Sequence, residues 1–439
     1  LPLGITGFHF SDLYNPLRLK DLHREFWKYC EDTSPETARK FKALDTTTPT
    51  YAEEGNTLIE TAKVVGEFIA KLFNITNHTA LVKSSTKDLQ PSFRFKKEFL
   101  NIRVFKRFTE APCSVEEWKR LDSLIQKILT QAPQQTAKEE EVQFSEIVLF
   151  LLESEKNLKA GTLGTNDQNR IQNLCLHFSG SNASEKVVAA LKAFEDWCVQ
   201  VWVSPERRKK IQNWGSFVRA EKLDFDHLVE TIQPKPELPE MVYGPEEHLR
   251  HRVGFKLTDN RMTTKEYLRE VDYCIYCHER KKDSCSKGFE EKTGGYKKNP
   301  LGIPLTGCPL DERISEMHVL RRDGDLIGAL SMIMLDNPMC PGTGHRICND
   351  CMKGCIFQKQ DPVNIPQTET GTLTDVLNLP YGFEIYSLLT RWNPINRKRP
   401  YALPYNGKNI LVVGLGPAGY TAAHYFANEG FGVVGIDAL

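Results

Sequence analysis

Apolar residues recur at helical spacing through the first half of the chain. From Asp12 to Tyr29 the stripe is Leu13, Leu17, Leu22 and Phe26, and from Thr57 to Phe73 it is Leu58, Ala62, Val65, Ile69 and Leu72. Steps of three and four put such residues on one face of a helix, so both segments are predicted helical with that face inward. Ser114 with Glu117 reads as a capping box opening a further helix, whose inner residues are Trp118, Leu121, Ile125 and Ile128. Helices are also predicted from Phe144 to Leu152 and from Glu185 to Val203, the second with Val188, Leu191, Phe194, Cys198 and Val201 on one side. Glycine- and asparagine-rich stretches, 161–169 and 180–184, read as turns between these two. Pro234, Pro236, Pro239 and Pro245 mark a linker.

Helical spacing returns between Asp311 and Leu335, with Ile314, Met317 and Leu320, then Leu326, Ala329, Leu330 and Ile333; Asp323-Gly324-Asp325 splits it into two helices. The stretch 361–408 is rich in proline and turn residues. The pattern then changes to a short apolar strand, Asn409–Val413, followed at once by Gly414-x-Gly416-Pro417-Ala418-Gly419. A helix is predicted from Pro417 to about Asn428, Gly430 ends it, and Val433–Ile436 forms a second strand before Asp437. In a dinucleotide turn the first glycine permits the tight bend, the second lets backbone approach the pyrophosphate, and the third lets helix pack on strand. The anion rests on free N–H groups at the helix start. Gly414, Gly416, Pro417, Ala418, Gly419 and Asp437, the last toward a ribose hydroxyl, are therefore the candidate cofactor-binding residues. The motif alone leaves FAD and NAD(P) open. Such an α/β fold needs further strands to close, so the sequence, which starts at Leu1, is expected to be a piece of a longer protein.

At 439 residues there is room for two or three domains, and 57 basic side chains balance 57 acidic ones. That balance offers no support for a nucleic-acid or membrane-surface partner. No apolar run approaches the roughly 18 residues of a membrane span. The basic run Arg207-Arg208-Lys209-Lys210 is predicted to face solvent, because no aromatic interleaving accompanies it.

Of the 12 cysteines, Cys30, Cys113, Cys175 and Cys198 stand apart and read as small structural hydrophobes. The other eight cluster: Cys274, Cys277, Cys285, Cys308, Cys340, Cys348, Cys351 and Cys355. Close pairs of this kind belong to metal or redox sites in a reducing compartment, so a cytoplasmic location is expected. Iron in a cubane cluster takes soft anionic sulfur, usually four cysteines per cluster, and eight thiolates suit two 4Fe-4S clusters. Zinc is the rival, since four-cysteine zinc sites also use such pairs, and His278 and His345 lie nearby. The accompanying Cys285, Cys308 and Cys355 make triplets rather than clean doublets, and Cys308 precedes Pro309 as in ferredoxin-type runs; both favour iron.

From about Asp272 to Asp437 the chain resembles the amino-terminal half of the glutamate synthase small subunit and the matching part of dihydropyrimidine dehydrogenase. The resembling pieces, in order, are Gly307-Cys308-Pro309-Leu310, Ile314-Ser315-Glu316-Met317, Asp323 to Leu330, Asn337-Pro338, Gly344 to Cys348, Val363-Asn364-Ile365 and the glycine turn. The resemblance implies two 4Fe-4S clusters exchanging electrons with a flavin. By position it assigns Cys274, Cys277, Cys285 and Cys355 to one cluster and Cys308, Cys348 and Cys351 to the other, with Glu369 or Cys340 as the eighth ligand. It favours FAD at the glycine turn, with NAD(P) bound by sequence beyond Leu439. The chain departs from the family in a long Cys285-to-Cys308 insertion, a short Cys348-to-Cys351 spacing, and a helical front end.

The expected architecture is therefore multi-domain: a helical region 1–260, a helical two-cluster domain 261–370, a linker 371–407, and the start of a Rossmann FAD/NAD(P)-binding domain at 408–439. The expected function is an iron-sulfur flavoprotein oxidoreductase, or its electron-transfer subunit, working with a redox partner protein and with no nucleic acid. A zinc-stapled helical scaffold is the alternative.

Overall fold

The computed structural model describes residues 3–131, 139–246, 249, 251–256, 261–280, 283–344 and 347–438. The chain forms two compact units, Leu1–Lys83 with Ala220–Leu439, and Ser84–Arg219. These boundaries differ from the single front region ending at 260 that the sequence suggested. The first helices belong to the cysteine-bearing unit because their apolar faces share its core.

That unit opens with a 3-10 turn, Phe10–Tyr14, then α1 (Pro16–Thr33), α2 (Pro35–Ala43) and α3 (Tyr51–Leu72). Helix α1 starts later than predicted because the Asn15 side chain accepts from the Leu17 N–H and Pro16 presets the first turn. The break shifts the helical phase: Leu19, Leu22, Phe26 and Cys30 are buried, whereas Leu17 is 64% exposed. Helix α3 is opened by a reciprocal box between Thr50 and Glu53, and its predicted stripe from Leu58 to Leu72 is buried throughout.

The boundary at 83/84 falls within α4 (Thr76–Phe95). The other unit then holds α5 (Val115–Gln131), α6 (Glu140–Ala160), α7 (Thr165–Leu174), α8 (Ala183–Val203) and α9 (Pro205–Arg208). The Ser114 Oγ accepts from the Glu117 N–H at 3.1 Å at the start of α5. Rings of Phe144, Phe194, Trp197 and Trp214 pack edge-on and tilted against one another at the centre of this unit. Buried Glu141 accepts from the N–H groups of Gly215 and Ser216 at 3.1 and 2.8 Å, which satisfies a turn beside that core. In α8 the buried position is Val187 rather than Val188, one residue off the predicted stripe. Helix α7 occupies residues expected as a turn, since Gly164 precedes it and Ile171 and Leu174 give it a buried side. Arg208, Lys209 and Lys210 are exposed as predicted, but Arg207 donates to the Cys113 carbonyl and to Gln200. Cys30, Cys175 and Cys198 are buried; Cys113 is only partly so.

The chain returns to the first unit with α10 (Thr264–Tyr273), α11 (Ser284–Lys287), α12 (Ile314–Arg322), α13 (Leu326–Asp336), α14 (Cys340–Thr343), α15 (Asp350–Lys353), α16 (Ile365–Leu377) and α17 (Gly382–Leu389). The break between α12 and α13 turns at Gly324, whose φ of 81° suits glycine. Helices α3 and α13 meet with almost no side chain between them: a Cβ on Gly328 would lie 2.7 Å from the Ala62 carbonyl oxygen. The stretch 371–407, expected as a linker, holds the end of α16 and all of α17. Leu373, Val376, Ile385, Leu388 and Leu389 sink into the core there.

Parallel strands β1 (Asn409–Val413) and β2 (Gly432–Ile436) pair from Asn409↔Gly432 to Val413↔Ile436, joined through α18 (Pro417–Asn428). The described residues are thus mostly helical with one small parallel sheet. No described helix is long and apolar enough to cross a membrane.

Candidate metal centres and nucleotide turn

Cys274 caps the end of α10, donating its N–H to the Glu270 carbonyl, and Cys277 starts a 3-10 turn two residues past Ile275. Tyr276, between them, is in the left-handed region at φ 53° and donates its N–H to Cys274 Sγ at 3.4 Å. Cys285 lies in α11 and Cys355 just beyond α15. These four residues line one small cavity of about 10 Å³, walled by Ile275, Ile314, Ile356, Phe357, Val363 and Ile365, with Ser315 and His318 as its other polar residues. Each of the four is at least nine-tenths buried. Helix α10 is held in place by buried Arg321, which donates to Tyr267 Oη at 2.8 Å and to Asp375 at 2.8 Å, tying α10, α12 and α16 together. That pairing offsets the desolvation of a fully buried guanidinium.

The insertion between Cys285 and Cys308 closes on itself. The Cys308 N–H donates to the Cys285 carbonyl at 2.8 Å, and short antiparallel bridges pair Glu290 with Tyr296 and Lys298 with Pro304. Gly307, at φ 74°, permits this: a Cβ there would meet the Gly288 nitrogen at 2.5 Å and the Ser286 carbonyl oxygen at 2.7 Å. The long spacing therefore leaves Cys285 and Cys308 adjacent.

Cys308 packs in one buried cluster with Cys274, Cys285 and Cys355, and Cys351 lies against it. Charges of Glu312, Cys308, Glu369 and Cys348 add to the burial that raises the Cys351 thiol, and those of Glu369 and Glu312 do the same for Cys340. Glu369 accepts from Asn337 Nδ2 at 2.6 Å, and the Cys340 N–H donates to the Asn337 carbonyl. Cys340 and Glu369 are thus both held by Asn337. Cys348 is exposed, and Asp350 donates its backbone N–H to Cys348 Sγ at 3.4 Å. Burial raises the pKa of both Glu369 and Glu312, and their mutual repulsion adds to the rise for Glu312. Glu312 was not among the residues singled out from sequence, where nothing in the local pattern reports a contact between 312 and 369.

Burial is also the largest cause raising every clustered thiol, to about 11 for Cys277 and about 12 for Cys308. Buried thiolates need a cationic partner, and a metal supplies one. Among the described residues no group of three or more His, Cys, Asp or Glu is arranged to hold a single metal ion. Of the two histidines weighed as zinc ligands, His278 turns its ring Nδ1 to Ser315 Oγ, and His345 lies outside the described residues.

At the glycine turn, Gly414 has φ 91° and Gly416 caps α18, with Pro417 and Ala418 in its first turn. A Cβ on Gly419 would lie 1.8 Å from the Gly414 carbonyl oxygen, so only glycine fits that helix start against the strand end. Asp437 accepts from the Leu415 N–H at 3.1 Å and so steadies the loop. Helix α18 also approaches α14: a Cβ on Gly342, two residues past Cys340, would meet Tyr420 Oη at 2.7 Å.

Over 101 residues, 23% of its length, the chain is 56% identical to an uncharacterized protein of Rickettsia prowazekii (strain Madrid E), a match covering 14% of that protein. Over 271 residues, 60% of its length, it is 24% identical to a second uncharacterized protein of the same strain, covering 79% of that one. The chain therefore spans only a small part of the first of these relatives. No family model matches the chain. No solved structure matches it.

Proposed function

We propose that the chain is the cluster-bearing part of an iron-sulfur flavoprotein oxidoreductase, or its electron-transfer subunit, of the glutamate synthase small subunit type. The observation that supports this reading is that Cys274, Cys277, Cys285 and Cys355 line one cavity, with Cys308 and Cys351 packed in the same cluster and a glycine turn elsewhere in the unit. The residues suit the groups: Cys274, Cys277, Cys285 and Cys355 would hold one 4Fe-4S cluster, and Cys308, Cys348 and Cys351 with Cys340 or Glu369 the other. Gly414, Gly416, Gly419 and the start of α18 would receive the pyrophosphate of FAD, as the opening unit of a Rossmann domain. When bound, such cofactors supply one-electron storage and exchange with hydride donors such as NAD(P)H.

The chain's own part is to exclude water from the first centre with Ile275, Ile314, Phe357 and Val363, to neutralise thiolate charge through the metal, and to hold the two centres close through the Cys308–Cys285 backbone bond. A redox partner protein or subunit is the proposed acceptor, and the reducing cytoplasm the compartment in which twelve free thiols persist. Anaerobic purification tests the reading. Brown protein with broad absorption near 400 nm and about eight irons per chain supports it. Colourless protein with stoichiometric zinc replaces it with a zinc-stapled scaffold.

A further inference from the structure

Ser315 is fully buried on the inward face of α12 and lines the cavity shared by Cys274, Cys277, Cys285 and Cys355. Two groups of His278 reach its oxygen: the backbone N–H at 3.2 Å, and ring Nδ1. A serine hydroxyl has one hydrogen and two lone pairs, so the ring's tautomer decides where that hydrogen points. His278 Nε2 is buried and has no partner. Were Ser315 to donate to Nδ1, the neutral ring would carry its proton on Nε2, leaving a buried N–H unpaired. With the proton on Nδ1, the His278 backbone N–H and ring Nδ1 both donate to Ser315, and only a bare lone pair remains at Nε2. Buried N–H groups left unpaired are rarer than bare acceptors, so the second arrangement is favoured. It frees the Ser315 hydrogen for the cavity.

The cavity's other polar residue does not compete. His318 Nε2 lies 2.8 Å from Thr368 Oγ1, whose own hydrogen goes to the Ile365 carbonyl at 2.7 Å. The His318 proton is therefore on Nε2, and its Nδ1 is a bare acceptor.

We infer that Ser315, set by His278, donates a hydrogen bond to a sulfur atom of the group held in the four-cysteine cavity and raises that group's reduction potential. The inference rests on the cluster reading above. A donor to sulfur stabilises the more negative, reduced state, and hydrogen bonds to sulfur are among the levers that set cluster potentials.

The test uses the full chain, reconstituted anaerobically, with iron content measured and potentials read by EPR-monitored redox titration. Ser315→Ala keeps its iron and loses about tenfold in the reduction equilibrium of one cluster, about 59 mV for a one-electron couple. Ser315→Thr, which restores the hydroxyl, recovers most of that loss. Full iron with unchanged potentials overturns the hydrogen bond while leaving the cluster reading intact, and a fall that threonine does not reverse also overturns it. If Ser315→Ala holds no iron, Ser315→Gly is titrated in its place with the same two outcomes. Wild-type protein that takes up no iron overturns the cluster reading itself.

Discussion

Substituting Gly328 with alanine probes whether the front helices are built into the cysteine-bearing unit. The new Cβ would sit 2.7 Å from the Ala62 carbonyl oxygen and 3.1 Å from its carbon, inside α3, with Leu320 Cδ2 at 3.5 Å. Two effects oppose each other. Alanine in a helix interior is favoured over glycine by about 1 kcal/mol. Overpacking a closed contact costs about 1–3 kcal/mol, and here the obstructing atom is backbone, which cannot swing aside. With a backbone atom in the way the cost falls in the upper part of that range, for a net loss of up to about 2 kcal/mol. Gly66→Ala is a graded control, because its Cβ would approach the Gly328 nitrogen only to 3.1 Å. The assay is urea unfolding followed by circular dichroism, with hydrogen exchange measured in peptides covering α3 and α13. Gly328→Ala is predicted to have a lower midpoint than both wild type and Gly66→Ala, with faster exchange in both helices. A Gly328→Ala protein more stable than wild type would show that α3 and α13 do not meet there.

Gly419→Ala places a methyl 1.8 Å from the Gly414 carbonyl oxygen; flavin or nucleotide affinity, measured by fluorescence titration, falls at least tenfold while iron content is unchanged. His23 is pushed down to about 4 from 6.5 by burial, with Trp27 Nε1 donating to its Nε2 at 3.0 Å. Its neutral form is the folded one, so the unfolded chain binds the extra proton below pH 6.5. That contribution is complete above pH 6.5 and declines as pH falls toward 4, by about 2 kcal/mol at pH 5. His23→Gln flattens this part of the stability–pH curve in denaturant titrations, and an unchanged slope would contradict the burial argument.

Long regular periodicity was the most legible feature. The inner faces of α3, α12 and α13 were readable because every third or fourth residue repeats the same chemistry without a break. Leu17 was misplaced because Asn15 and Pro16 restart the helix and rotate its phase, and Val188 because α8 buries a broad face that leaves neighbouring positions ambiguous. Helices α16 and α17 hide among turn formers: their caps, Asn364 with Pro366 and the left-handed Tyr381, look like loop residues until Leu373, Val376 and Leu388 find a core. That Cys274, Cys277, Cys285 and Cys355 line one cavity was implied by the resemblance, not by their spacing. The closure of the insertion was not, because it depends on a glycine approach at Gly307 and a backbone bond at Cys308. Glu312 was invisible for the same reason: what defines it is a neighbour distant in sequence.

Iron and acid-labile sulfide per chain, measured on anaerobically prepared wild type beside Cys285→Ser and Cys113→Ser, bear most directly on the two-cluster account. Wild type and Cys113→Ser should each carry about eight irons, and Cys285→Ser about four, with one EPR signal lost. Zinc in place of iron, or equal metal content in wild type and Cys285→Ser, would contradict it.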